Sequence, residues 1–149
     1  MSGYTEKMGN KLNELLERTY DAEKGFKNAA ENVKNPSLKN YFNRKAQERY
    51  DFGHKLKTEI RSFGQDVEKG GSLAGTAHRA WMDLKSYFSS DNEEAILEEA
   101  IRGEKAAVKE YDDVLEDDTL PYSTKSLLIE QKNEIEKGLA SIKRMEDIR

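Results

Sequence analysis

The stretch Met8-Gly9-Asn10-Lys11-Leu12-Asn13-Glu14-Leu15-Leu16-Glu17-Arg18-Thr19-Tyr20-Asp21-Ala22-Glu23-Lys24-Gly25-Phe26 decides the fold. Met8, Leu12, Leu15, Thr19, Ala22 and Phe26 recur four and three residues apart, and Ala29 and Val33 continue the series. That spacing lays them along one stripe of a helix and predicts a helix over 4–33. Gly25 is tolerated there at a cost of about 1 kcal/mol relative to Ala. Asn35-Pro36-Ser37 breaks the helix, because Pro36 disfavours helical geometry at Asn35. Pro36 or Ser37 can open the next one.

The same reading extends along the chain. Leu38, Phe42, Ala46, Phe52, Leu56, Ile60 and Phe63 mark the inner face of a helix over 37–63, and Arg49 and Gly53 fall on that stripe too. Gly64 suits a C-terminal cap. Residues 64–75 read as a loop centred on Gly70-Gly71. A shorter helix over 72–88 follows, with Leu73, Ala77, Ala80, Trp81, Leu84 and Phe88 on one face. Leu97, Ile101, Glu104, Val108, Tyr111 and Leu115 form the seam of a helix over 92–115. After a turn at 117–121, Leu128, Gln131, Ile135, Gly138, Ile142 and Met145 give the stripe of a helix over 123–145. No run alternates apolar and polar residues over a strand length.

Four long amphipathic helices must each bury one stripe, and a four-helix bundle does so. The joints after the first and third long helices are short, so each pair predicts an antiparallel hairpin. The expected fold is therefore all-α: a ferritin-like four-helix bundle of two hairpins, with an extra helix at 72–88 in the crossover between helices 2 and 3. The whole chain, 1–149, is expected to form one domain.

Bulk composition narrows the function. Hydrophobic and charged residues each make up 36% of the 149 residues, a balance that the helical periodicity separates from disorder. The net charge of −4 argues against nucleic acid as a partner, since phosphate binding needs a basic face. No apolar stretch approaches ~18 residues, so no membrane span is expected. The N-terminus has no signal-peptide hydrophobic run, and the expected location is the cytoplasm. There is no Cys, which removes disulfides, thiol nucleophiles and thiolate metal sites. Gly70-Gly71 lacks the strand and the Gly-Lys-Ser/Thr ending of a phosphate loop. No Ser/His/Asp arrangement has supporting context.

Two acids stand where the helices should be apolar: Glu104 in the seam of the third long helix and Glu23 on the apolar edge of the first. A buried carboxylate is costly unless something neutralises or hydrogen-bonds it. A di-iron bundle would take one Glu from each of two helices and a Glu-x-x-His pair from each of the others. Glu23 and Glu104 occupy the single-Glu positions. The paired motifs are missing: Glu48 is followed by Asp51 where His belongs, and Glu134 by Lys137. The chain's two histidines are His54, on the expected solvent side of its helix, and His78, in the crossover.

Three readings of the acids follow. Arg49, on the inner stripe of the second helix, can neutralise Glu23 or Glu104, and Gln131 can hydrogen-bond one of them. Alternatively, Glu23, Glu48, Asp51, Glu104 and Glu134 form a carboxylate-rich metal site suited to iron or manganese. In the third reading the acids reach water. The tyrosines Tyr41, Tyr50, Tyr87 and Tyr111 are expected at helix edges with their hydroxyls in water. The pairs Glu93-Glu94, Glu98-Glu99 and Asp112-Asp113 are expected on solvated faces.

Gly71-Ser72-Leu73-Ala74-Gly75-Thr76-Ala77-His78-Arg79-Ala80-Trp81-Met82-Asp83-Leu84-Lys85, with Asn92-Glu93-Glu94-Ala95-Ile96-Leu97-Glu98-Glu99-Ala100-Ile101-Arg102-Gly103-Glu104, resembles a bacterial family of unknown function. Its members are four-helix-bundle proteins of the ferritin-like superfamily. Asp21-Ala22-Glu23-Lys24-Gly25-Phe26 and Ala29-Ala30-Glu31-Asn32-Val33 look like that family too. The resemblance implies the fold and carries no established activity. With the residues, it leads to the expectation of a non-enzymatic structural or interaction protein with no cofactor, connected with stress in bacteria, that forms a homodimer or binds a protein partner. The alternative is a divergent iron- or manganese-binding bundle.

Overall fold

The computed structural model describes residues 2–67 and 93–148. It contains four α-helices in chain order: α1 Ser2–Asn32, α2 Pro36–Ser62, α3 Glu93–Leu115 and α4 Tyr122–Ile148. No strand occurs among the described residues. The expected crossover helix at 72–88, with Trp81, His78 and Tyr87, lies outside them.

Local chemistry sets the helix ends. Asn35 is the N-cap of α2: its Oδ1 accepts from the backbone N–H of Ser37 at 2.8 Å and of Leu38 at 3.3 Å. Pro36 follows in the first turn, where a missing N–H costs nothing. At the other end Gly64 has φ +73°. Its N–H donates to the Arg61 carbonyl and that of Gln65 to the Ile60 carbonyl, at 2.9 and 3.3 Å, which is the Schellman closure that favours glycine. In the α3–α4 turn Asp117 Oδ1 accepts from the Thr119 N–H at 2.8 Å, a local bond that helix geometry would not allow.

Contacts between the ends settle the topology. α1 packs on α2 and α3 on α4, while α1–α3 and α2–α4 close the square. α2 and α3 therefore occupy opposite corners. Glu93 Oε2, at the start of α3, accepts from the backbone N–H groups of Lys34 and Asn35 in the α1–α2 joint, at 2.6 and 2.9 Å. At the opposite end the Tyr4 hydroxyl donates to the Thr119 carbonyl, and Lys11 Nζ reaches Asp117 at 2.8 Å. α2 and α3 thus start at the same end and run parallel. The end of α2 and the start of α3 therefore lie at opposite ends of the bundle, about 40 Å apart for a helix of 27 residues.

The buried stripes meet in two apolar halves. Phe26, Phe42, Val33, Leu97 and Ile142 centre one. Leu12, Leu16, Leu56, Leu128 and Ile135 centre the other. Each such side chain contributes about 1.5–3 kcal/mol on burial. A polar layer lies between the halves.

Candidate functional site

The polar layer is built on Arg49 of α2 and Glu104 of α3, which meet across the diagonal of the square. Arg49 is 2% exposed and Glu104 0%. Arg49 Nη2 donates to Glu104 Oε1, and Nη1 donates to Oε2 at 3.3 Å. Both carboxylate oxygens are thus engaged by one guanidinium, the two-pronged geometry that Arg favours. Phe26 and Phe52 flank the same guanidinium, with ring centroids 5.3 and 5.7 Å from Cζ, so the cation also meets aromatic faces.

A second acid completes the charge balance. Glu48 Oε2 accepts from Arg49 Nη1 at 3.2 Å and pairs with Lys45 Nζ at 2.7 Å. The Lys45 stem is buried, and its ammonium lies against Gly138 of α4, where an added Cβ would come within 2.5 Å of Nζ. Gly138 therefore makes room for the ammonium. Burial alone would weaken the charge on Arg49, but Glu104 and Glu48 outweigh it and hold its pKa above the usual value.

Two tyrosines line the layer from inside. Tyr111 donates to Gln131 Oε1 at 2.6 Å, and Gln131 Nε2 donates to the Phe52 carbonyl at 3.4 Å. Tyr41 donates to the Gly138 carbonyl at 2.8 Å. Burial pushes both phenols well above their ordinary pKa.

The candidate acids are therefore scattered. Glu104 is central and held by Arg49. Glu48 touches the same cation from the rim. Glu23 is near the surface, paired with Lys27 at 3.0 Å. Asp51 is exposed and accepts from Gln47 at 3.1 Å. Glu134 lies on the outer side of α4, with Lys137 at 3.4 Å. Among the described residues, no group of three or more His, Cys, Asp or Glu side chains is arranged to hold a metal ion. A divalent ion at Glu104 would also face the fixed charge of Arg49. As placed, these residues do not fit a two-iron centre.

Several expectations need correction. Tyr41 and Tyr111 are buried at 4% and 3%, because a carbonyl and an amide inside the bundle satisfy their hydroxyls; Tyr50 is exposed as expected. Gln131 bonds Tyr111 rather than an acid. Glu93 is buried where it caps the α1–α2 joint, and Glu99 is buried with Arg102, one turn further on, placing its Nε 2.9 Å from Oε1. Lys45 carries no mark in the sequence beyond Glu48 three residues on. His54 is exposed, as its helical position implies.

A second Arg–Glu pair joins α1 to α3 outside the core. Arg18 Nε lies 2.8 Å from Glu110 Oε2, with both side chains partly exposed. The Glu110 pKa is nevertheless pushed up to about 7. Burial is the main cause, and Asp21, Asp113 and Glu14 add to it against Arg18.

Among solved structures, a mutant of Dps1 from Mycobacterium smegmatis matches with a TM-score of 0.80 and 18% identity, over 95% of each chain. At that identity the likeness shows the fold, a ferritin-like four-helix bundle. No helix among the described residues is long and apolar enough to cross a membrane. A search of curated proteins finds no match. Residues 7–117 match the family described as a domain of unknown function (DUF2383), and with most of its length covered the chain belongs to that family.

Proposed function

We propose that this ferritin-like bundle is a non-enzymatic structural or interaction protein whose core is braced by an ion pair. The observation that carries the reading is Arg49 filling the centre and engaging both oxygens of Glu104. A guanidinium at that point supplies the positive charge that buried carboxylates require, and it leaves no open coordination position. The buried pair also ties the register of α2 to that of α3, a role attested for buried polar groups in other bundles.

Metal content tests this. Protein purified without chelator or tag, and the Glu104→Gln variant beside it, are loaded with iron and with manganese under anaerobic conditions and then desalted. The expected result is no retained metal in either. About two equivalents, lost in the variant, would instead establish the carboxylate reading through Glu23, Glu48, Asp51, Glu104 and Glu134.

A further inference from the structure

Charge is divided unevenly between the helices. α2 carries seven Lys or Arg against three acids, whereas α3 carries eight acids against three bases. The imbalance extends to the hairpins: residues 2–62 hold thirteen bases and nine acids, and residues 93–148 hold eight bases and sixteen acids. Because α2 and α3 sit on opposite corners of the square, the separation runs across the bundle.

The pattern along each exposed face is more specific than its total. On α2, exposed Arg44 and exposed Lys55 and Arg61 bracket exposed Asp51. On α3 and the residue after it, exposed Glu94 and Glu98 at one end and Asp112, Asp113 and Glu116 at the other bracket exposed Lys105 and Lys109. One face reads plus, minus, plus and the other minus, plus, minus. At 1.5 Å per residue, Arg44 and Arg61 lie about 10 and 15 Å from Asp51, and Glu98 and Glu116 about 13 Å from the midpoint of the α3 bases. The blocks match in their order along the axis, and within one copy Lys55 also reaches Glu130, Lys109 reaches Asp113 and Asp112 reaches Lys132. Tyr50, 49% exposed and beside Asp51, gives the α2 face an aromatic at its middle.

We infer that the α2 face of one copy docks on the α3 face of a second copy. This deepens the interaction reading above by naming the partner. The two faces differ, so the contact is heterologous and repeats from copy to copy. Each exposed ion pair contributes little, so association is weak and depends on salt.

Sedimentation velocity on the full chain at about 100 µM, a concentration that reports Kd values near 10⁻⁴ M or tighter, tests the contact. Average mass should exceed the monomer at roughly 20 mM salt, where charges act over about 20 Å, and return to the monomer at roughly 500 mM, where they act over about 4 Å. The triple variant Arg44→Glu, Lys55→Glu, Arg61→Glu should weaken association at least about tenfold, as three lost pairs imply. Glu94→Lys, Glu98→Lys, Glu116→Lys should do the same, and mixing the two variants should restore it. A control reversing Lys125, Lys137 and Lys143 to Glu on α4 should associate like the parent, with circular dichroism confirming that every variant is folded. A monomer at low salt, association that survives the α2 and α3 reversals, or equal loss in the α4 control would overturn the inference. A monomer without bound metal would end the docking inference and leave the core reading standing, whereas bound metal would end the core reading whatever the mass.

Discussion

Two Arg–Glu pairs, each reaching α3 from the first hairpin, behave differently because of depth. Arg49–Glu104 lies between two apolar halves, with side chains 2% and 0% exposed. Arg18–Glu110 lies between neighbouring helices, at 29% and 21%. In the inner pair one guanidinium takes both oxygens and two phenyl rings flank it. In the outer pair Arg18 Nε lies 2.8 Å from Glu110 Oε2, while Asp21, Asp113 and Glu14 crowd the same carboxylate. Charge pairing is thus matched to its surroundings inside and incompletely so outside. Salt-bridge distance alone would not separate them.

The largest effect should come from breaking the inner pair on one side. Glu104→Ala leaves Arg49 buried without its acid and should cost about 3–5 kcal/mol in urea unfolding. A loss under about 1 kcal/mol would mean that Glu48 alone suffices for Arg49. Replacing both partners, Arg49→Met with Glu104→Leu, removes the charges along with their desolvation. The double variant should be neutral or more stable by about 1–4 kcal/mol, and if it unfolds as easily as Glu104→Ala the pair is a net source of stability.

The outer pair should show itself through pH. The folded pKa of Glu110 is raised from 4.5 to about 7, so between those values the folded state holds a proton that the unfolded state has released. Its contribution to stability is therefore lost as pH rises from about 4.5 to 7, by roughly 1–2 kcal/mol after allowance for solvent screening. Glu110→Gln should flatten that decline, measured by thermal unfolding from pH 4.5 to 8, and an unchanged pH profile would place its cause elsewhere. The smallest effect belongs to an acid in neither pair. Asp51→Asn, exposed on α2, should change stability by less than about 0.5 kcal/mol, and a larger loss would show that the monomer relies on its surface charge pattern.

Much of this architecture is legible in the amino-acid sequence. The four stripes, the break at Asn35-Pro36, the cap at Gly64 and the inward positions of Arg49, Gly53 and Glu104 all follow from helical spacing and local backbone chemistry. Glu104 reads as costly from its neighbours Leu97, Ile101, Val108 and Tyr111, and it is fully buried. Its resemblance to a metal-ligand position is equally legible, but spacing along one helix says nothing of what arrives from another. The tyrosines show the same gap: Tyr41 and Tyr50 read alike as edge residues, yet one meets the Gly138 carbonyl and the other meets solvent.

By itself the sequence determined which residues form helices, where those helices stop and which stripe each must bury, because backbone propensity and a 3.6-residue period act within one segment. The tertiary structure decided that Arg49 takes Glu104 and leaves Glu23 to Lys27, that Gln131 serves Tyr111, that Gly138 admits Lys45, and that Glu93 caps the distant α1–α2 joint. Those choices depend on which helices are diagonal and at what depth they cross. That is settled by packing whole apolar faces together, and the cost of burying each polar group then selects its partner.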